Sequence, residues 1–439
     1  MDAMESVLQG DPEAGRALIA LMSECADLRE FGARVLSLAA NALMSAEADA
    51  LRGAARGERS ESRTNSRNGY RPRTLKTPLG DVEPEIPKLR RGSYYPESVL
   101  TRWSRVDGAL AALVVEAYAN GVSTRDMALL AESLGISSLS SSEVSRLAAS
   151  LDDQVGELRS RDLSGVRCCY LWVDATYVRC RVGGRSVSQA VVTAIALGED
   201  GRKRLVGLDC VDTESYGDWR AFLASIRARG LSGLVLAVSD AHEGLRRALS
   251  EVFQGVAWQR CTVHLQRSVS AAVRAEANGR AVRELAKAVF AEGDGLVARA
   301  LYPRACDAVR SLGEGRAADL LEGAREDAQQ YLSLPPEHWR RVRTNNVQER
   351  ANREIKRRYR SVQSFPSRGS LLRLVGAVML GEEDSWQQHR VFSPELTARA
   401  WAPAEPAPPD GSLARRIAEA ERRADAIVAS IVDRFGPEG

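Results

Sequence analysis

The chain has 439 residues, of which 44% are hydrophobic and 27% are charged. This length predicts two to four domains of about 100–200 residues each, with at least one sizeable core. Seven cysteines without a Cys-x-x-Cys pair exclude a disulfide framework, and no apolar run reaches the ~18–20 residues that span a bilayer. Because the first residues also lack a signal pattern, we expect a cytoplasmic protein.

Positive charge is concentrated in two segments, although the formal net charge is only +3. Residues 51–76 contain eight Lys or Arg against two Glu, and residues 339–360 contain nine against two. Local basic blocks of this kind neutralise phosphates even in a nearly neutral chain. They are equally typical of solvated surfaces, so each block alone leaves both interpretations open.

The N-terminal third predicts helices on either side of an extended segment. Residues 1–56 are rich in Ala, Leu, Glu and Arg and predict helices, whereas residues 57–105 are basic and punctuated by prolines and predict an arm or extended connector. Short capped helices over 106–160 resemble a helix-turn-helix DNA-binding domain, in which Ser142 and Arg146 would face the groove. A plain helical bundle fits the same pattern.

Residues 161–265 change to a strand pattern, rich in β-branched and aromatic residues. The predicted strands and helices alternate in the order βββ-α-β-α-β, over residues 169–182, 186–197, 204–211, 216–229, 231–239, 241–253 and 256–264. An antiparallel meander that leads into parallel βα units predicts an α/β protein with a ribonuclease-H-like mixed five-stranded sheet.

The C-terminal part predicts helices almost throughout. The pattern predicts an all-α region over residues 266–336, and a strong helix over 346–360 in the segment 337–395, which we expect to complete the core of the α/β region. Residues 396–439 contain a Pro-rich linker and a terminal amphipathic helix.

Two acids are placed by the strand pattern to meet at one sheet edge. Asp174 lies inside the first strand and Asp240 at the end of the fourth, and these strands are neighbours in the predicted fold. Carboxylates suit Mg²⁺, and a pair of such ions promotes phosphodiester chemistry. A charge inside an apolar strand needs a partner or a metal, whereas Asp240 alone is also typical of a helix N-cap.

Glu349 is the third acid that we select, in the segment RTNNVQERANREIKRRYR. Helical spacing places Glu349, Arg353, Lys356 and Arg360 on one face, opposite Val347, Ala351, Ile355 and Val362. A metal-binding acid flanked by cations suits a helix that faces DNA. A surface helix with Glu–Arg pairs four residues apart fits the same spacing.

Four motifs in this order, LWVDATYV, SDAHEGL, WQRCTVHLQR and TNNVQERANREIKRR, resemble the mutator-type insertion-sequence transposases of bacteria. The resemblance covers about residues 69–393 and departs from the family pattern at Asn345 and Ala351. It implies that Asp174, Asp240 and Glu349 hold two Mg²⁺ or Mn²⁺ ions on a ribonuclease-H-like core, and that the helical stretch between the last two is the family's insertion.

Five further residues are candidates for a role at or near the acids. Cys261 and His264 fit the family's Cys-x-x-His signature, whose generic interpretation is half a zinc site. The sequence offers no second ligand pair at zinc spacing, so we expect no zinc and favour a structural or DNA-positioning role. His242 would assist near the metals or cap a helix, and Trp258 and Trp339 would stack on bases or lie in the core.

We therefore expect a DDE-type DNA transposase that cuts element ends and transfers strands into target DNA. Its partners would be terminal inverted repeats, target DNA and a second copy of the chain, with nucleoid association and no membrane. A nuclease of the same fold and a DNA-binding regulator derived from a transposase are the alternatives. The residues that we predict to contact DNA are Arg71, Arg73, Ser142, Arg146, Arg260, Arg267, Asn346, Arg353, Lys356 and Arg357.

Overall fold

The computed structural model describes residues 12–52, 64–96, 108–119, 122, 124–133, 136, 139–362, 364–402 and 412–436. The chain divides into two compact units, Met1–Leu151 and Asp152–Gly439. Parts of the predicted connector (57–63 and 97–105) and the Pro-rich linker at 403–409 lie outside the described residues.

The first unit combines helices with two small sheets. Its elements are α1 (Pro12–Ser23), α2 (Leu28–Arg52), β1 (Arg67–Pro72), β2 (Leu75–Thr77), β3 (Gly80–Val82), β4 (Glu85–Leu89), α3 (Gly108–Ala119), α4 (Thr124–Ser133) and α5 (Ser141–Ala148). β1 pairs with β4 and β2 with β3, both antiparallel. The predicted connector is thus partly a folded ribbon, held to α2 by an ion pair of Arg67 with Asp49 at 2.7 Å.

Helices α3, α4 and α5 share a small apolar core, which includes Leu110, Met127 and Val144. Ser140 caps α5 and forms a capping box with Glu143, as expected for a helix that starts with Ser and carries Glu three residues later. The apolar side chains of this region are thereby buried among the three helices.

The second unit is built on a five-stranded mixed sheet. All of α6 (Leu151–Ser160) except its first residue belongs to this unit. The sheet region then contains β5 (Cys168–Val182), β6 (Arg185–Gly198), β7 (Lys203–Val211), α7 (Tyr216–Ala228), β8 (Leu236–Ser239), α8 (Glu243–Val252) and β9 (Ala257–Arg260). The strand order is β7-β6-β5-β8-β9, with antiparallel pairs β7–β6 and β6–β5 and parallel pairs β5–β8 and β8–β9. The predicted order of elements is confirmed.

Two predicted strand boundaries are wrong. β8 begins at Leu236 rather than at 231, because Gly233 has φ +82° and interrupts the extended backbone. β9 ends at Arg260, and the chain turns into helix α9 (Thr262–Ala271) with Cys261 at its N-cap. His264 therefore lies on a helix, not on a strand.

The sheet is covered on both faces. One face carries Leu171 and Val173 and packs against Trp219, Phe222 and other apolar residues of α7 and α8. The other face carries Tyr170 and Trp172 and packs against the helical region that follows. This alternation explains why β5 reads as a nearly continuous apolar run with one acid in it.

The remaining helices form the predicted insertion and the end of the chain. They are α10 (Gly279–Ala291), α11 (Gly295–Ser311), α12 (Gly315–Glu322), α13 (Arg325–Ala328), α14 (Pro336–Val342), α15 (Asn346–Val362), α16 (Arg368–Gln387), α17 (Pro394–Ala398) and α18 (Ser412–Phe435). The terminal helix α18 packs on α10 and α11, where Ala420 and Ala424 are buried. Among the described residues, no helix has the length and apolar character needed to cross a membrane.

Candidate active site

Asp174 lies on β5, and Asp240 directly follows β8, the neighbouring parallel strand. Trp172 of β5 pairs with Val238 of β8, and each acid follows its paired residue by two positions, so both carboxylates project from the same face. Asp240 is not a helix cap: the N-cap residue of α8 is His242, whose Nδ1 accepts a hydrogen bond from the backbone N–H of Leu245 at 3.3 Å.

The Asp174 carboxylate accepts one hydrogen bond on each oxygen. The Ala175 backbone N–H donates to Oδ1 at 2.9 Å, and Nδ2 of Asn352 donates to Oδ2 at 2.8 Å. Burial, and after it the negative charge of Asp240, raises the pKa of Asp174 to about 7. A bound cation would offset both effects, since it supplies the charge that the buried carboxylates lack.

Helix α15 carries Glu349 and is attached to the sheet by polar side chains. Nε2 of the fully buried Gln348 donates to the carbonyl oxygens of Trp172 at 2.7 Å and Thr193 at 3.1 Å. The Thr193 hydroxyl donates to Oε1 of Gln348 at 2.8 Å, and Nδ2 of Asn345 donates to the Val173 carbonyl at 3.2 Å. These directional contacts fix the register of α15 against β5 and β6.

The predicted two-sided character of α15 is confirmed for its described side chains. Ala351 and Ile355 are buried, whereas Arg353, Lys356 and Arg360 are exposed. The side chain of Val362 lies outside the described residues. The exposed cations form a basic strip that starts one turn after Glu349.

His264 links Asp240 to Glu349. Its Nδ1 lies 2.5 Å from Asp240 Oδ1, and its Nε2 lies 3.7 Å from Glu349 Oε1. Nη1 of Arg267 lies 3.0 Å from the same Glu349 oxygen. The contact with Asp240, and after it the contact with Cys261, raises the pKa of His264 to about 10. His264 therefore bridges Asp240 and Glu349, whereas Asp174 is joined through Asn352 to α15, the helix that carries Glu349.

Cys261 lies beneath this cluster. The residue is fully buried, and its Sγ accepts a hydrogen bond from the backbone N–H of Asn345 at 3.2 Å. Cys261 occupies the N-cap of α9 without capping that helix, and its Sγ lies within 4.8 Å of a carboxylate oxygen of Asp240 and a ring nitrogen of His264.

The family model described as "Transposase, Mutator family" matches residues 14–389. The chain belongs to the mutator family of transposases. It is 39% identical over 369 residues to the transposase for insertion sequence element IS1081 of Mycobacterium tuberculosis. The aligned region covers 84% of this chain and 88% of that relative. It is 35% identical over 359 residues to the transposase for insertion sequence element IS406 of Burkholderia multivorans, with 81% and 92% covered. It is also 35% identical over 330 residues to the transposase for insertion sequence element IS256 in transposon Tn4001 of Staphylococcus aureus, with 75% and 84% covered.

The residues of the transposase that we predict to contact DNA lie in both units. In the second unit, the side chain of Arg267 is 62% exposed and Arg260 is half-buried at the end of β9. The exposed predicted residues are Arg71, Ser142, Arg146, Asn346, Arg353, Lys356 and Arg357. Arg73 is half-buried and donates to the Tyr95 hydroxyl at 2.8 Å.

The two tryptophans considered for base stacking differ in environment. Trp339 is buried, donates to the Leu334 carbonyl and packs edge-on against Tyr331, so its core interpretation holds. Trp258 is half-buried and donates from Nε1 to the Ser239 hydroxyl at 2.9 Å.

Sequence reasoning missed the polar residues that position the acids of the transposase. Gln348 and Asn352 flank Glu349 on α15, and Asn345 directly precedes that helix. Their signal was available: Asn345, Gln348 and Asn352 follow a helical spacing of three and four residues, so they share one face. Amides on the face toward a core need partners, and this requirement predicts contacts with neighbouring backbone.

Proposed function

We propose that this transposase is a DDE-type enzyme, which cuts DNA at the ends of its element and joins those ends to target DNA with divalent metal ions. The observation that carries the proposal is that His264 bridges Asp240 and Glu349, while Asn352 joins Asp174 to the helix that carries Glu349. We also infer a ribonuclease-H-like core, because the strand order combines an antiparallel meander with two parallel strands and carries two acids on adjacent strands.

The donor atoms fit Mg²⁺ or Mn²⁺. Asp240 Oδ1 is buried and makes no aligned hydrogen bond, although His264 Nδ1 lies 2.5 Å away, and burial together with the charge of Asp240 raises the pKa of Asp174. Buried carboxylate oxygens that lie beside a second carboxylate are suitable ligands for a hard cation. Asp174, Asp240 and Glu349 would hold two ions, which would activate the attacking oxygen and offset charge on the leaving oxygen of a phosphodiester.

The protein's own residues orient the acids. Because Asp174 accepts one bond on each oxygen, each oxygen retains a lone pair for an ion, and the carboxylate plane is fixed. The hydrogen bond from Gln348 to the Trp172 carbonyl fixes the position of the adjacent Glu349 relative to β5. Such pre-organised positioning lowers the cost of reaching the reactive geometry.

The reaction proceeds in two displacements on phosphorus. First a water oxygen bonds to phosphorus at the element end, the bond to the 3′-oxygen breaks, and a 3′-hydroxyl is released. That 3′-hydroxyl then bonds to a phosphorus of target DNA, and the target strand leaves with its own 3′-hydroxyl. Arg267 and the basic strip of α15 would bind the phosphate backbone.

The first unit supplies the proposed contacts to the terminal inverted repeats. Helix α5 has an exposed Ser142 and Arg146, and β1 has an exposed Arg71. Joining requires two ends to be held together, so we propose a homodimer or larger assembly that works at the nucleoid, where its substrate lies.

The test combines purified full-length protein with oligonucleotides that carry the inverted repeats flanking its coding region. With Mg²⁺ or Mn²⁺, a pre-cut end should be inserted into a supercoiled plasmid. Asp174→Asn should abolish insertion and preserve binding in a gel-shift assay, because the isosteric amide removes only the charge.

The two alternatives give different results in the same assay. A nuclease of this fold would cut the element ends and yield no joined product. A regulator would bind the repeats and yield neither cuts nor joints. DNA-dependent activity that survived in the Asp174→Asn protein would overturn the assignment of the acids.

A further inference from the structure

We propose that Asp240, Cys261 and His264 form a binding site for a thiophilic divalent ion such as Zn²⁺, and that occupation of this site inhibits the transposase. Ion binding by itself is independent of the proposed function, whereas the inhibition rests on it. The site overlaps the proposed catalytic centre at one residue, Asp240.

Three different ligand types converge at this place. A carboxylate oxygen of Asp240, Sγ of Cys261 and a ring nitrogen of His264 all lie within 4.8 Å of one another. They come from the end of β8, the N-cap of α9 and the first turn of α9, respectively. The third ligand that the Cys-x-x-His pair lacks in the sequence is thus supplied by the neighbouring strand.

Asp240 and His264 supply two closely spaced ligand atoms. Asp240 Oδ1 and His264 Nδ1 lie only 2.5 Å apart, yet both are buried atoms without an aligned hydrogen bond. Tetrahedral Zn²⁺ separates its ligands by about 3.3–3.8 Å, so the Asp240 and His264 side chains would have to move apart when an ion binds.

The thiol distinguishes this site from the proposed magnesium site. Cys261 is fully buried, and the backbone N–H of Asn345 donates to its Sγ at 3.2 Å. A thiolate and an imidazole favour Zn²⁺ or Co²⁺ over Mg²⁺. Binding would release the thiol proton and the His264 ring proton to solvent. Three protein ligands leave one position of a tetrahedral ion for water.

Inhibition follows from the shared carboxylate. An ion held by Cys261 and His264 would also engage Asp240, whose carboxylate oxygen lies within 4.8 Å of both ligand atoms. The proposed catalytic ions would then lose one of three acids. Zn²⁺ should therefore oppose Mg²⁺ rather than replace it.

The binding test uses Co²⁺ as a spectroscopic probe on the full-length protein. We expect one Co²⁺ per chain with a near-ultraviolet sulfur-to-metal charge-transfer band, displaced by Zn²⁺ and not by Mg²⁺. Cys261→Ser should lose the band and weaken binding by about 100-fold or more, since a ligand is at least as important as its supporting residues. Ser can still accept the Asn345 N–H, so the fold should be retained.

Two matched variants complete the binding test. Cys210→Ser changes a half-buried cysteine on β7 and should leave the band unchanged. Asp240→Asn should weaken Co²⁺ binding while leaving the cysteine in place, which covers the case in which Cys261→Ser does not fold. A Co²⁺ complex without the sulfur band, or a band that persists in Cys261→Ser, would overturn the proposal.

The inhibition test adds Zn²⁺ to the Mg²⁺-dependent insertion assay. Insertion should fall as Zn²⁺ fills the site, and a chelator selective for Zn²⁺ should restore it. If Zn²⁺ binds with the sulfur band but insertion continues unchanged, the inhibitory role is wrong. If insertion fails with Mg²⁺ alone while the band is present, the proposed function fails and the ion site stands.

Discussion

Replacement of Gln348 tests whether buried hydrogen bonds hold the Glu349 helix on the sheet. Gln348→Met keeps approximately the side-chain volume and removes three hydrogen bonds, two to backbone carbonyls and one from the Thr193 hydroxyl. At a net value of about 1 kcal/mol each, the free energy of unfolding should fall by about 3 kcal/mol. Insertion activity should fall as well, because Glu349 is the next residue.

A double-mutant cycle separates the polar contacts from packing. Thr193→Val removes the hydroxyl that donates a hydrogen bond to Gln348. The double variant should therefore be about 1 kcal/mol more stable than the sum of the two single effects predicts. Urea unfolding followed by tryptophan fluorescence measures this, because six of the seven tryptophans lie in Asp152–Gly439. Additive effects, or a loss below about 1 kcal/mol for Gln348→Met, would refute the reasoning.

Three further predictions follow from named contacts. Asn352→Leu should lower Mn²⁺ affinity by about 10–100-fold in a calorimetric titration, because it removes the hydrogen-bond donor to Asp174. It should not lower the free energy of unfolding in urea, because it also removes an amide whose buried Oδ1 has no hydrogen-bond partner. Arg267→Ala should reduce the slope of log DNA affinity against log salt concentration by about one in gel-shift assays, and an unchanged slope would remove Arg267 from the DNA surface. Burial lowers the pKa of His338, so the unfolded chain binds a proton that the folded chain excludes, and the contribution of His338 to the free energy of unfolding should decrease as the pH falls below about 6.5. The difference in free energy of unfolding between the original chain and His338→Gln, measured by urea unfolding at several pH values, should show this contribution, since Gln can still bond to Tyr170 and the Leu396 carbonyl.

The sheet was predictable because its strands carry strong periodic signals. β5, β6 and β7 have the lengths and turns of an antiparallel meander, and β8 reads as a buried strand that ends at Asp240. From this order the proximity of Asp174 and Asp240 follows directly. The exact ends of β8 and β9 did not follow, because a single glycine and a helix start decide them.

The docking of α15 could be predicted only in part. Its amphipathic spacing correctly separates buried Ala351 and Ile355 from exposed Arg353 and Lys356. The partners of Gln348 and Asn352 are backbone and side-chain groups more than 150 residues earlier in the chain. No local pattern encodes which strand a buried amide will meet, because that pairing depends on the tertiary arrangement.

The Cys261–His264 pair shows a similar limit. Its spacing suggests half of a metal site, and the sequence places no second Cys or His pair nearby. The nearest third ligand is an acid on a parallel strand, close in space because β8 and β9 are neighbours. Spacing rules for zinc describe ligands on one local motif and do not detect a ligand from an adjacent strand.

The most direct measurement is an experimental structure of the transposase with Mn²⁺ and an element end, with the ions located by their anomalous scattering. We predict Mn²⁺ within about 2.0–2.3 Å of carboxylate oxygens of Asp174, Asp240 and Glu349. Ions bound elsewhere, or a Glu349 side chain that takes no part in their coordination, would contradict the proposal that the three acids form one catalytic centre.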